Sequence, residues 1–181
     1  MQVLVNSQID GPTLTAAAAA TCIPAAAKFT LPAGFIDTIG KEFRIEASGR
    51  ISSVITTPGT ARFDVRVGGV VVFDSLAILL DTVAGHTTVG WRLAIDLTAR
   101  SIGASTSATF WGSGSWACED ILGVPATAPK GVLTAILPWN ATPAVGTGFD
   151  STIANSWDLF FTQTAATGAL IVHTYRVISM N

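Results

Sequence analysis

Few residues of this chain combine the type and spacing that chemistry needs. The run GSGS at 112–115 sets serines among small residues, but it does not satisfy G-x-S-x-G, and Trp116 closes it with a bulky ring. The alternation of small residues with Trp111 and Trp116 instead predicts a strand approached closely by another backbone or ring. His86, beside Gly85, is expected on a surface loop, and His173 in the last strand as a hydrogen-bonded or interface residue. Neither has a partner at metal-ligand spacing, and zinc draws three or four such ligands. Glu119 and Asp120 are adjacent and so point to opposite faces of a strand, unlike the facing carboxylates of a glycosidase. Asp150, in GTGFDST, is expected to organise its loop by accepting backbone N–H bonds. A calcium loop pattern is absent. No catalytic residue, metal or cofactor is assigned.

Two cysteines, Cys22 and Cys118, lie far apart in sequence and read as buried thiols of a protein folded in a reducing cytoplasm, with a single disulfide left open. Of five tryptophans, Trp91 and Trp157 read as core. Trp139, in LPWNATP, is expected in a loop where its ring meets a neighbouring subunit or stacks on sugar.

The elements that must hold these residues are strands. In EFRIEASGRI the apolar Phe43, Ile45 and Ala47 alternate with Glu42, Arg44, Glu46 and Ser48. RFDVRV places Phe63, Val65 and Val67 inward against Arg62, Asp64 and Arg66, and GWRLAIDLTARS opposes Trp91, Leu93, Ile95 and Leu97 to Arg92, Asp96, Thr98 and Arg100. This period of two marks antiparallel strands with one wet face. Gly68-Gly69 reads as a two-residue hairpin turn. Further strands are expected in ATFWGSGSWAC, GVLTAILPW, SWDLFFTQTA and ALIVHTYRVISM, with TAATGA as the turn of a terminal hairpin. One short turn of helix is compatible with PAGFIDTIG. The pattern predicts a single all-β domain over 14–181, an antiparallel sandwich of jelly-roll type, preceded by an N-terminal arm over 1–13.

Composition narrows the role. Only 12 % of the 181 residues are charged, the net charge is −2 and mean hydropathy is +0.52. That balance offers no basic footprint for nucleic acid. No uncharged apolar run has the length of a membrane-spanning helix, and MQVLVNSQIDG has neither part of a secretory signal. So lightly charged a surface is expected to be finished by contact with other protein. Val3, Leu4 and Val5 of the arm, with Trp139, His173 and Tyr175, are the candidate interface residues.

Five stretches resemble small structural proteins of tailed-bacteriophage virions: residues 23–52, 58–75, 97–114, 145–152 and the ending WDLFFTQTAATGALIVHTYRVISMN. The resemblance implies a jelly-roll or related β-sandwich, often trimeric, with no catalytic residues. It implies a capsid decoration protein that clamps the major capsid protein on the virion exterior, assembled in the bacterial host cytoplasm. The alternative it leaves is a tail- or fibre-associated module that recognises a host-surface glycan.

Overall fold

The computed structural model describes residues 1–122, 132–166 and 168–181. The first strands are β1 (Gln2–Asn6), β2 (Ala19–Thr21), β3 (Phe29–Leu31), β4 (Glu42–Ser53), β5 (Thr60–Val67) and β6 (Val70–Asp74). They are followed by β7 (Ile78–Leu79), β8 (His86–Ser101), β9 (Thr109–Leu122), β10 (Val132–Leu137), β11 (Asn155–Gln163) and β12 (Ala169–Ser179). They form two antiparallel sheets packed as a sandwich. Sheet A runs β1-β12-β4-β8-β9-β10; sheet B runs β2-β11-β5-β6, with β3 on β11 and β7 on β5.

Alternation in the sequence becomes the core. Phe43, Ile45, Ala47, Trp91, Leu93, Ile95 and Leu97 of sheet A face Phe63, Val65, Val67, Trp157, Leu159 and Phe161 of sheet B, all buried. Phe63 sits at the centre, its ring 5.3 Å from Trp91, 5.1 Å from Trp116 and 5.2 Å from Phe161. A second cluster joins Phe43 to Phe110 and Trp157. The β5–β6 turn is Gly68-Gly69 at φ 59° and 82°, the positive values a primed hairpin turn requires.

Three expectations are corrected. TAATGA does not close a hairpin: β11 lies in sheet B and β12 in sheet A. Both strands are amphipathic, and they bury their apolar faces against each other across the core instead of pairing side by side. PAGFIDTIG forms turns and no helix, with Gly34 at φ 68° and Gly40 at φ 90° interrupting it. The 3-10 turn falls earlier, at Ala25–Ala27 behind Pro24. Asp64, expected on a wet face, is fully buried. On the outer side of sheet B, Arg66 covers it, donating from Nε to Oδ1 at 2.6 Å while its guanidinium lies 3.7 Å from the Phe160 ring centre.

Residues 1–13 do not project as a free arm in this chain. Gln2–Asn6 is the outermost strand of sheet A, in register with β12 from Gln2↔Ser179 to Asn6↔Arg176. The pairing continues beyond β1. Ser7 and Tyr175 exchange hydrogen bonds, Gly11 N–H donates to Val172 O, and Leu14 and Leu170 bridge. Gly11 is required there, because a Cβ would fall 2.2 Å from the Cys22 carbonyl oxygen.

Candidate assembly surface

The residues expected at an interface separate into two groups at opposite edges of sheet A. Val3, Leu4, Val5, His173 and Tyr175 lie on the β1–β12 pair. Val3 is exposed, while Leu4 and Val5 are half-buried against the core. His173 sits at a register shift in β12 and meets the Asp10 carboxylate, Nδ1 to Oδ1 at 2.9 Å. Tyr175 is the correction in this group. Its side chain is fully buried between the sheets, and burial, reinforced by Cys22 and Asp158, raises its phenol pKa well above the ordinary value. It is a core residue and presents nothing to a partner.

Trp139 stands beyond β10 at the other edge. Leu137–Pro138 is a cis peptide, Asn140 takes φ 52°, and the Trp139 N–H donates to Ser75 O at 2.8 Å. The ring is half-buried on the chain's own core, so it is held in place as well as partly presented. Beside it, Ile136 is 70 % exposed and Val145 is 52 % exposed. Among the described residues β10 pairs with β9 alone, leaving its far backbone edge unpaired. Its sequence, VLTAIL, contains neither the charges nor the proline that usually protect an edge strand. Ile136 was not foreseen as an interface residue. The available signal was the parity of TAIL, in which Thr134 and Ile136 share one face and Ala135 and Leu137 the other.

Between these edges lies the outer face of sheet A. Cross-strand register sets out two rows there: Thr174, Ser48, Arg92 and Ala117, then Arg176, Glu46, Ala94 and Ser115. Three pairs stiffen it. Arg44 grips Asp96 with Nε and Nη2 at 2.7 and 2.9 Å, Arg176 pairs with Glu46, and the Ser48 and Thr174 hydroxyls meet at 2.6 Å. The small residues of β8 and β9 leave a trough of about 730 Å³ along the rows. GSGS is part of this construction: Ser113 and Ser115 line the outer side, and the glycines face inward. A Cβ on Gly112 would lie 2.4 Å from the Phe73 ring, and one on Gly114 would lie 2.3 Å from the Ala94 carbonyl oxygen. The close approach read from the sequence is therefore present.

The remaining polar residues have structural partners. His86 is half-buried, contrary to the expected surface position, with Nε2 3.0 Å from Asp81 Oδ2. Burial acts to raise the Asp81 pKa, but His86 and the Val83 and Ala84 N–H groups outweigh it and hold the carboxyl below its ordinary value. Asp150 accepts from the Ser105 and Thr152 N–H groups and the Thr152 hydroxyl, as expected, and these bonds lower its pKa. Cys22 and Cys118 are buried and neither forms a disulfide. Burial and Asp158 keep the Cys22 thiol protonated, and it donates to Leu159 O. Among the described residues no group of three or more His, Cys, Asp or Glu is placed to hold a metal ion. Side chains of Asp120 through Leu133 lie outside the described residues.

No family model, curated protein or solved structure matches the chain.

Proposed function

We propose that this chain is a non-enzymatic structural protein of a tailed-phage virion, a decoration protein of jelly-roll type that joins its copies and the major capsid protein through the β10 edge of sheet A. The observation that carries the reading is that edge: an unpaired, uncharged strand with Ile136 70 % exposed, beside a braced Trp139. An open edge gives backbone hydrogen bonds to a partner strand, and alternate side chains give it register. A standard specific contact covers about 800 Å² per partner, a small part of this chain's 8225 Å² of surface.

The winding supports the jelly-roll part of the proposal. Strands β1, β12, β4 and β8 in one layer and β2, β11, β5 and β6 in the other follow the order of two interleaved Greek keys. On that frame β9 and β10 are an added hairpin that widens sheet A, and the frame itself does not need their outer edge. The virion resemblance of the sequence points the same way.

Purified protein mixed with phage shells tests this by co-sedimentation, with light scattering reporting self-association as a trimer. Ile136→Lys is expected to abolish shell binding and leave the circular dichroism spectrum unchanged. Undiminished binding by that variant overturns the edge, and no shell binding by the unaltered chain overturns the capsid reading. A tail- or fibre-associated glycan-recognition role is the second reading, favoured by the hydroxyl-lined trough. Copy number separates the two: parity with the major capsid protein supports the capsid, and a few copies per particle support the tail.

A further inference from the structure

The trough on sheet A has a chemistry of its own. Its lining includes Arg92, the Glu46–Arg176 pair, the Ser48–Thr174 hydroxyl pair and Asn6, over a floor formed by Ala94 and Ala117. Arg44 and Arg176, on the same face, are each engaged by a carboxylate. Arg92 is exposed and has no ion-pair or hydrogen-bond partner among the described residues. With Glu46 and Arg176 cancelling, Arg92 leaves the trough one unit of positive charge in a chain of net charge −2.

We propose that this trough binds a sugar acid, with the carboxylate on Arg92 and the ring hydroxyls on the Ser48–Thr174 and Glu46–Arg176 pairs. A guanidinium presents a planar fork that matches a carboxylate in bidentate fashion. The single spare charge suits a monoanion. A phosphate monoester, nearly doubly charged at neutral pH, would set its second charge against Glu46. The paired hydroxyls and the ion pair supply donors and acceptors already held in place by each other, which lowers the cost of ordering them around a polyhydroxylated ring. No large ring lines the trough, so a nucleobase finds no stacking platform. The alanines open about three strand spacings, on the order of 14 Å, a length for a mono- or disaccharide. The site stands on these residues alone and does not depend on where in a virion the chain sits.

Titration of the full chain with digalacturonate, followed by amide NMR shifts and calorimetry, tests the proposal, with neutral digalactose, inorganic phosphate and a tri-aspartate peptide as comparison probes. Digalacturonate is expected to bind about tenfold or more tighter than digalactose, the range of one charged hydrogen-bonded contact. Arg92→Gln is expected to erase that preference, and Ala117→Trp to block both sugars. Both changes lie on the outer face, so retained circular dichroism and retained shell co-sedimentation distinguish loss of this site from loss of the fold or of the assembly edge. Three results overturn the proposal: no sugar binding, equal digalacturonate affinity in Arg92→Gln, or binding of phosphate or peptide as tight as that of digalacturonate.

Discussion

Replacing Arg66 with Met is expected to be among the most damaging single changes outside the core. Asp64 is fully buried, and its Oδ1 depends on the 2.6 Å bond from Arg66. Oδ2 already lacks a partner among the described residues. Methionine keeps the aliphatic volume over Phe160 but removes the only guanidinium paired with this carboxylate, leaving a buried charge uncompensated. Breaking a buried pair from one side costs about 3–5 kcal/mol. Because Arg66 itself keeps 25 % side-chain exposure, water can partly replace it, and about 2–3 kcal/mol is the better expectation. In a chain of this length that corresponds to a fall in Tm of roughly 5–10 °C. Urea unfolding at neutral pH measures it, with an unchanged m-value showing that the unfolded state is not the cause. The double variant Arg66→Met/Asp64→Val removes the orphaned charge and is expected to recover most of the loss. A single variant within about 0.5 kcal/mol of the parent, the range of ordinary surface changes, would refute the reasoning. So would a double variant no better than the single one.

Two further outcomes follow from the geometry. Gly114→Ala is expected to cost about 1–3 kcal/mol by overpacking, since its Cβ meets the Ala94 carbonyl oxygen at 2.3 Å, whereas Ser113→Ala and Ser115→Ala stay within about 0.5 kcal/mol; equal thermal stability of all three variants would show that the glycine is not needed for packing. The Asp81 carboxyl titrates below its ordinary value in the folded chain, so its stabilising effect is complete above about pH 4–5 and lost as the pH falls through the folded pKa. Asp81→Asn should therefore flatten the acid limb of a stability-versus-pH curve, and hydrogen exchange should show the Asp81–His86 loop opening first; an unchanged acid limb would remove the pair from that role.

Most of the strand positions were legible because each strand buries one face, and a period of two reveals burial without revealing the partner. Phe43, Ile45, Trp91 and Leu93 could be assigned inward from their neighbours alone. Which layer a strand joins was not legible by the same signal, since β11 and β12 carry equally amphipathic patterns and yet lie in different sheets. Asp64 misled for a related reason. Alternation predicts the side of the sheet correctly, but whether that side is wet depends on Arg66 and Phe160 folding over it, and Phe160 comes from a strand nearly a hundred residues away. His86 was missed likewise, because its partner Asp81 lies in the same loop and only the turn between them decides whether they meet.

The N-terminal segment brings these lessons together. Val3 and Val5 looked like an apolar arm because nothing nearby in sequence could receive them, and their partners Ile178 and Val177 stand at the far end of the chain. Once β1 occupies the flank of β12, that edge of sheet A is closed by the chain itself. The two edges are therefore unequal: one is sealed by residues 2–14 through backbone bonds and the His173–Asp10 contact, and the other ends in uncharged β10 with Ile136 outward. A sheet with one sealed and one open edge can extend in one direction only. Such an edge can serve a contact between copies or between this chain and a different protein, but it cannot by itself propagate a continuous sheet, and that asymmetry suits a component that attaches to a lattice without becoming one.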